Sequence, residues 1–252
     1  MPRALLSSSI FCSMLVAFAP ITIGCSTPSS SDDGAVDAPS ALNSDDYEIY
    51  ADLATGAGAA PSAGSVTVLG LRGLSVDGSA HATKFVHAFD DTIVVLRADG
   101  TAERFAGSTH PFELDGAAGV PDTNGDQVPD VGMIRPGVYD VAGRDRTIAG
   151  AASYAVTQHG QGKLPGWRDT NHDGVLSDAE RAVSERRADG LTDVLFHQGE
   201  GGAPAAVGCQ VLPASAIRAF TAAVGGPHAR FRYVLVDMTG RDTSALMTRR
   251  TR

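Results

Sequence analysis

The sequence predicts a mainly β domain with two short helices, spanning residues 64 to 238 of a 252-residue chain. Three observations carry that expectation. Short runs of β-branched and aromatic residues recur from Val66 onward, divided by Gly, Asp and Pro. Only two segments carry helical spacing, and both run into glycine. Residues 25 to 63 are rich in Ser, Pro, Ala, Gly and Asp with few large apolar side chains, which reads as a flexible tether ahead of the domain.

Taken in order, the first strand signal is Val66–Leu69, followed by Thr92–Leu96 and Ala102–Phe105. Asp99-Gly100 between the last two is a hairpin signal, because Gly supplies the positive φ that tight turns need. Tyr139–Val141 and Tyr154–Thr157 read as further strands, with Pro136-Gly137 turning the chain before the first. Ala179–Ala188 reads as a helix capped by Ser177 or Asp178 and closed by Gly190. Leu195–Gly199 has strand character. Ala214–Val224 is the second helix, with Ile217, Phe220 and Val224 on one face and Gly225-Gly226 at its end. Phe231–Val236 is the last strand, and the basic tail 239–252 has no core pattern.

The N-terminus carries its own message. Arg3 is followed by a largely apolar run, Ala4 to Ile23, that ends in Gly24-Cys25. A small residue before Cys resembles a lipobox, so residues 1–24 are expected to be a lipoprotein signal peptide and Cys25 the lipidated residue. An ordinary cleaved signal peptide or an uncleaved anchor are the alternatives. The expected place is the cell envelope, at the outer membrane or periplasmic face, since Ser26 rather than Asp follows Cys25. With 29 acidic against 20 basic residues, the chain has no basic field for nucleic acid and suits cations.

Calcium is the cofactor that the residues name most directly. Asp169, Asn171, Asp173, Gly174, Val175, Ser177 and Glu180 fill the defining positions of a twelve-residue EF-hand-type loop. Ca²⁺ takes six to eight hard oxygens, and alternate side chains deliver them to one point. Val175 would give its carbonyl, Ser177 would act through water and Glu180 would close the sphere. The Gly160–Gly166 segment ahead of it cannot be a helix, so a loop–helix is expected. A second loop offers Asp122, Asn124, Asp126 and Asp130, but Gln127 stands where Gly is wanted and position twelve is Met133. The alternative for both is a solvated acidic turn. Both are expected to be unpaired and weak, with dissociation constants of roughly 10⁻⁴–10⁻³ M. The histidines lack metal-ligand spacing among themselves. His172 is expected to point out of its loop, and none is expected to bind zinc.

With Cys12 in the leader and Cys25 lipidated, Cys209 is the only thiol of the folded part. It is either a buried, inert thiol or a nucleophile served by His197, itself either a base or a hydrogen-bonded core histidine. Around Phe196-His197-Gln198-Gly199 and Gly208-Cys209-Gln210, with Gly107–Pro111, Arg135–Tyr139 and Trp167–Asp169 upstream, the chain resembles a divergent branch of the L,D-transpeptidase catalytic domain. The resemblance implies a β-rich, sandwich-like domain and a cysteine acyl transferase or peptidase acting on peptidoglycan. In that case Cys209 is the nucleophile and His197 the base. Ala206-Val207 and Val211 stand where the family motif has Ser-His and Arg. The competing expectation is a non-catalytic calcium-binding envelope lipoprotein with a degenerate cleft.

Overall fold

The computed structural model describes residues 40–116, 119–199, 208–241 and 243. The expected leader, Cys25, Ala206, Val207 and most of the basic tail lie outside the described residues. The fold is mainly β, and twelve strands and three helices are described. In chain order these begin β1 (Ser40–Leu42), α1 (Ser44–Gly56), β2 (Thr67–Arg72), β3 (Asp91–Leu96) and β4 (Ala102–Gly107). Next come β5 (Gly132–Ile134), β6 (Gly137–Gly143), β7 (Tyr154–Thr157), β8 (Leu164–Arg168) and α2 (Asp178–Arg187). The rest are β9 (Gly190–Leu191), β10 (Leu195–Gln198), β11 (Gln210–Leu212), α3 (Ala214–Ala223) and β12 (Arg230–Asp237).

Nine strands form one sheet in the order β1-β4-β3-β2-β12-β6-β7-β10-β11. β12 lies parallel to β2, and β11 parallel to β10; the other pairs in this sheet are antiparallel. The sheet curls until its far edge meets β4 again. Ser108 and Val211 exchange two backbone hydrogen bonds, at 2.8 and 2.9 Å. Closure of this kind leaves few unpaired edge groups.

The strand alternation sorts two apolar layers. Val68, Ile93, Val95, Phe105, Tyr233 and Leu235 point to one core, which α3 plugs. Phe220 of α3 stacks on Phe196 at 5.6 Å and meets Phe105, Tyr154 and Phe231 edge-on. Leu69, Leu71, Val94, Leu96, Val234 and Val236 point the other way, towards Tyr50 and Ala54 of α1. β2 and β3 are therefore buried along their whole length, which explains the apolar runs Val68–Leu71 and Ile93–Leu96 between their polar ends.

Helix α1 corrects the expected tether, which ran to residue 63, and brings the helix count to three. Asn43 caps it by accepting from the Asp46 N–H at 2.9 Å, and Asp45 and Asp46 favour its N-terminal dipole. Its apolar face is only a few residues wide, so composition hid it. α2 begins where expected, with Ser177 as N-cap and Glu180 completing a capping box. It ends at Ala188, held left-handed at φ 53°, while Gly190 opens β9 instead of closing the helix.

Candidate metal centre

The two Asp-rich loops share one hydrogen-bond scheme, which their sequences only half suggest. In the first loop the Gly174 N–H donates to Asp169 Oδ2 at 2.8 Å; in the second the Gln127 N–H donates to Asp122 Oδ2 at 2.9 Å. Asp173 N–H donates to Asn171 Oδ1 and Val175 N–H to Asp173 Oδ1. Asp126 N–H and Val128 N–H repeat both bonds on Asn124 and Asp126. The closing carboxylates also correspond. Thr170 N–H reaches Glu180 Oε1 at 2.9 Å, and Thr123 N–H reaches Asp130 Oδ2 at 2.6 Å. Asp130, at position nine, thus occupies the role that Glu180 holds at position twelve.

Backbone conformation matches as well. The fourth and sixth positions are left-handed in both loops: His172 at φ 58° and Gly174 at 76°, Gly125 at 84° and Gln127 at 73°. The missing glycine therefore does not change the turn; Gln127 adopts it against an intrinsic cost of about 1–2 kcal/mol.

Strand pairing sets the loops side by side, which corrects the expectation of unpaired sites. β5 runs antiparallel to β8, Gly132 opposite Arg168, so the end of one loop meets the start of the other. Asp169 N–H donates to the Val131 carbonyl at 3.0 Å, and Asn124 Nδ2 donates to the Thr170 carbonyl at 2.6 Å. Arg168 ties the pair to the rest of the domain through the Asp130 and Gly190 carbonyls. As expected, β8 and not a helix enters the first loop.

Asp169 is fully buried, and its Oδ1 has no hydrogen-bond partner. Burial pushes its carboxyl above the ordinary carboxylate range, Glu180 and Asp173 add to this, and the Gly174 N–H opposes it. Burial also works against charge on Glu180, but donors from Ser177, Thr170 and Asn171 outweigh it and hold that carboxyl low. Asn171 and Asp173 are exposed, with Asn171 Nδ2 on Asp173 Oδ2 at 3.0 Å.

Among the described residues a different group meets the tightest geometric condition for a metal. His81, Asp90 and Asp91 each offer a ligand atom, all within 4.8 Å of one another. These residues can hold a metal ion, and the sequence pattern gave no hint of them. Asp91 is heavily committed, however. Its Oδ1 accepts from Gly73 N–H at 2.7 Å, and its Oδ2 accepts from the Thr109 N–H and hydroxyl at 2.8 and 2.7 Å. That uses about three of the roughly four acceptor positions of a carboxylate.

His197 and Cys209 share the outer face of neighbouring strands. The register pairs His197 with Val211 and Phe196 with Gln210, so Cys209 stands diagonally from His197. No hydrogen bond joins the two among the described residues. Cys209 packs beside Phe112, Val211 and Phe89, and its Sγ lies 3.9 Å from the Asp193 carbonyl. Burial raises the thiol to about 11, with Asp193 adding and a hydrogen bond at Leu195 opposing. His197 is buried, which lowers its pKa, and its Nδ1 sits 2.6 Å from the Gln198 carbonyl. That contact makes Nδ1 the proton-bearing nitrogen and leaves Nε2 basic.

Comparison with known proteins adds nothing to this geometry: no family model, curated protein or solved structure matches the chain. No described helix is long and apolar enough to cross a membrane.

Proposed function

We propose that the chain is a calcium-binding lipoprotein of the cell envelope, tethered by a lipid on Cys25, whose β domain is stiffened by Ca²⁺ in the Asp169–Glu180 loop. The observation that carries this reading is Asp169 Oδ1, a fully buried carboxylate oxygen with no partner inside a loop of the calcium-binding pattern. An ionised oxygen is not left unpaired in the interior without cost, and a hard dication is the partner that this donor set suits. Asn171, Asp173, the Val175 carbonyl, Ser177 through water and Glu180 would complete the sphere. The reading predicts a saturable calcium isotherm for the full chain with a dissociation constant of roughly 10⁻⁴–10⁻³ M. Titration calorimetry should show it lost in Asp169→Asn and in Glu180→Gln. Absence of calcium-dependent heat in the unmodified chain would sink the idea.

A second reading, acyl transfer or hydrolysis on peptidoglycan, has one observation in its favour. The basic Nε2 of a neutral His197 lies on the same strand face as Cys209. Against it stands the raised thiol. A pKa about two units above the usual 9.0 leaves about 100-fold less thiolate near neutrality, and the thiolate is the nucleophile. Alkylation at Cys209, followed by peptide mass spectrometry, separates the readings. A non-catalytic domain should label about 100-fold more slowly than a free thiol at pH 7, with the rate still climbing between pH 9 and 11. Fast labelling at pH 7 that disappears in His197→Ala would move the conclusion to the enzyme.

A further inference from the structure

Helix α1 covers only part of its face of the sheet. Along β12, Val234 and Val236 are buried in the layer beneath the helix, whereas Arg230 and Arg232, on the same face by alternation, are exposed. The strand registers draw one polar row across this bare half. Thr67 of β2, Arg232 of β12, Asp140 of β6 and Thr157 of β7 stand opposite one another in turn. The row floors a groove of about 510 Å³, walled by the chain that follows α1, from Ala59 to Ser65, and by Gly160 beyond β7. That is the size of a small-molecule site.

The side chains in the groove call for an anion. Arg230 and Arg232 leave β12 about 7 Å apart, and the one carboxylate beside them, Asp140, meets Arg232 Nε through Oδ1 at 3.5 Å. The Arg230 guanidinium has no hydrogen bond or ion pair among the described residues, and the residue opposite it is Ala142. One positive charge is therefore left unbalanced in a chain whose net charge is −9. Thr67 also lines the groove and is only 2% exposed, yet its hydroxyl has no hydrogen-bond partner among the described residues. A hydroxyl left unpaired at such burial is costly, and a ligand oxygen removes that cost.

We propose that this groove binds a small hydroxylated monocarboxylate, with the size and chemistry of a sugar acid. Arg230 and Arg232 hold the carboxylate, because their planar forks match its two oxygens. Thr67 donates to the ligand, and Asp140 Oδ2, which has no partner among the described residues, accepts from a ligand hydroxyl. A monoanion suits the single unbalanced charge, whereas a phosphate dianion would bring a second negative charge against Asp140. Hydroxyls of Ser62 and Ser65 on the wall and small residues such as Ala142 and Gly160 offer little apolar surface, which favours a hydrophilic ligand over a fatty acid. None of these residues belongs to the Asp-rich loops, to the His81 group or to the His197–Cys209 pair.

Glucuronate titrated into the full chain, followed through the backbone amide resonances at constant calcium, tests this. Saturable shifts should centre on β12 and β6, and glucuronate should bind at least about tenfold more tightly than glucose or inorganic phosphate. Arg230→Gln, at an exposed position, should leave the thermal midpoint unchanged and weaken glucuronate binding by at least about tenfold. Asp140→Ala should abolish the advantage of glucuronate over acetate, because acetate has no hydroxyl to donate. Trigalacturonate separates the two sources of such a ligand. Tighter binding than the monomer assigns the groove to an acidic polysaccharide, and equal or weaker binding assigns it to the free acid. Three results would overturn the site: no saturable shift with glucuronate, glucose or phosphate bound as tightly, or glucuronate binding unchanged in Arg230→Gln.

Discussion

Chelating divalent ions should lower the thermal midpoint of the domain by about 3–10 °C relative to 10 mM calcium. The size follows from mass action: with a dissociation constant of roughly 10⁻⁴–10⁻³ M, that calcium concentration adds about 1.4–2.7 kcal/mol. A domain of this length shifts by about 2–4 °C per kcal/mol. The direction follows from Asp169. Without an ion, burial and the neighbouring Glu180 and Asp173 carboxylates work against charge on Asp169, which raises the energy of the folded state. An ion converts those repulsions into ligand bonds. Scanning calorimetry with and without chelator gives the measurement, and Asp169→Asn gives its control, because the variant should melt at one temperature under both conditions. Matching midpoints for the unmodified chain would leave the loop as a capped acidic turn.

This pair of loops also shows how much the sequence tells and where it stops. The expected ligand positions of the first loop are legible because residue types must coincide at fixed spacing, and the helix that follows is announced by Ser177 and Glu180 at capping-box spacing. Loop pairing is not legible. It depends on β5 and β8, two strands too short and too Gly- and Pro-rich to announce themselves: Gly132-Met133-Ile134 against Leu164-Pro165-Gly166-Trp167-Arg168. The contact of His172 with Asp126 and Asp130 is invisible for the same reason, since a residue pointing out of its own loop has no partner until the second loop is placed. The second loop also carries its closing carboxylate at position nine, and only the bond from Thr123 N–H to Asp130 marks it as equivalent to Glu180.

The larger strands were legible in place. β7 spans Tyr154–Thr157 as the sequence suggests, and β3 and β12 differ from expectation by a residue or so at an end. Ile93–Leu96 of β3 and Tyr233–Val236 of β12 alternate between two apolar layers, so these stretches are apolar throughout and hard to mistake. What the runs could not say is that the second layer belongs to α1. Tyr50 and Ala54 are modest anchors in a helix that also carries Asp45, Asp46, Glu48 and Asp52, and their burial depends on Leu69, Val94 and Val234 already standing in a sheet. Curling of that sheet onto itself through Ser108 and Val211 is likewise a property of the whole and of no local run.

Asp91→Ala should cost about 3–5 kcal/mol, and added metal ions should not restore it. Asp91 begins β3 and has no exposed surface. Its two oxygens satisfy the Gly73 N–H at the end of β2 and both donors of Thr109 just beyond β4. Thr109 in turn accepts from the fully buried Arg72, through Nε to its hydroxyl at 3.1 Å and Nη2 to its carbonyl at 2.6 Å, while Arg72 Nη1 reaches the Ile134 carbonyl at 3.0 Å. Removing the carboxylate strands three donors and takes away the negative charge that offsets a buried guanidinium. Urea unfolding should therefore show a much lower midpoint with an unchanged slope. The same variant separates the two roles open to His81, Asp90 and Asp91. If the group is chiefly a structural clasp, His81→Gln should cost far less than Asp91→Ala, because the His81 nitrogens touch only the Ala82 and Asp90 carbonyls as hydrogen-bond partners. If a metal dominates there, the two variants should lose similar stability, and chelator should reproduce that loss in the unmodified chain even when Asp169→Asn has silenced the calcium loop.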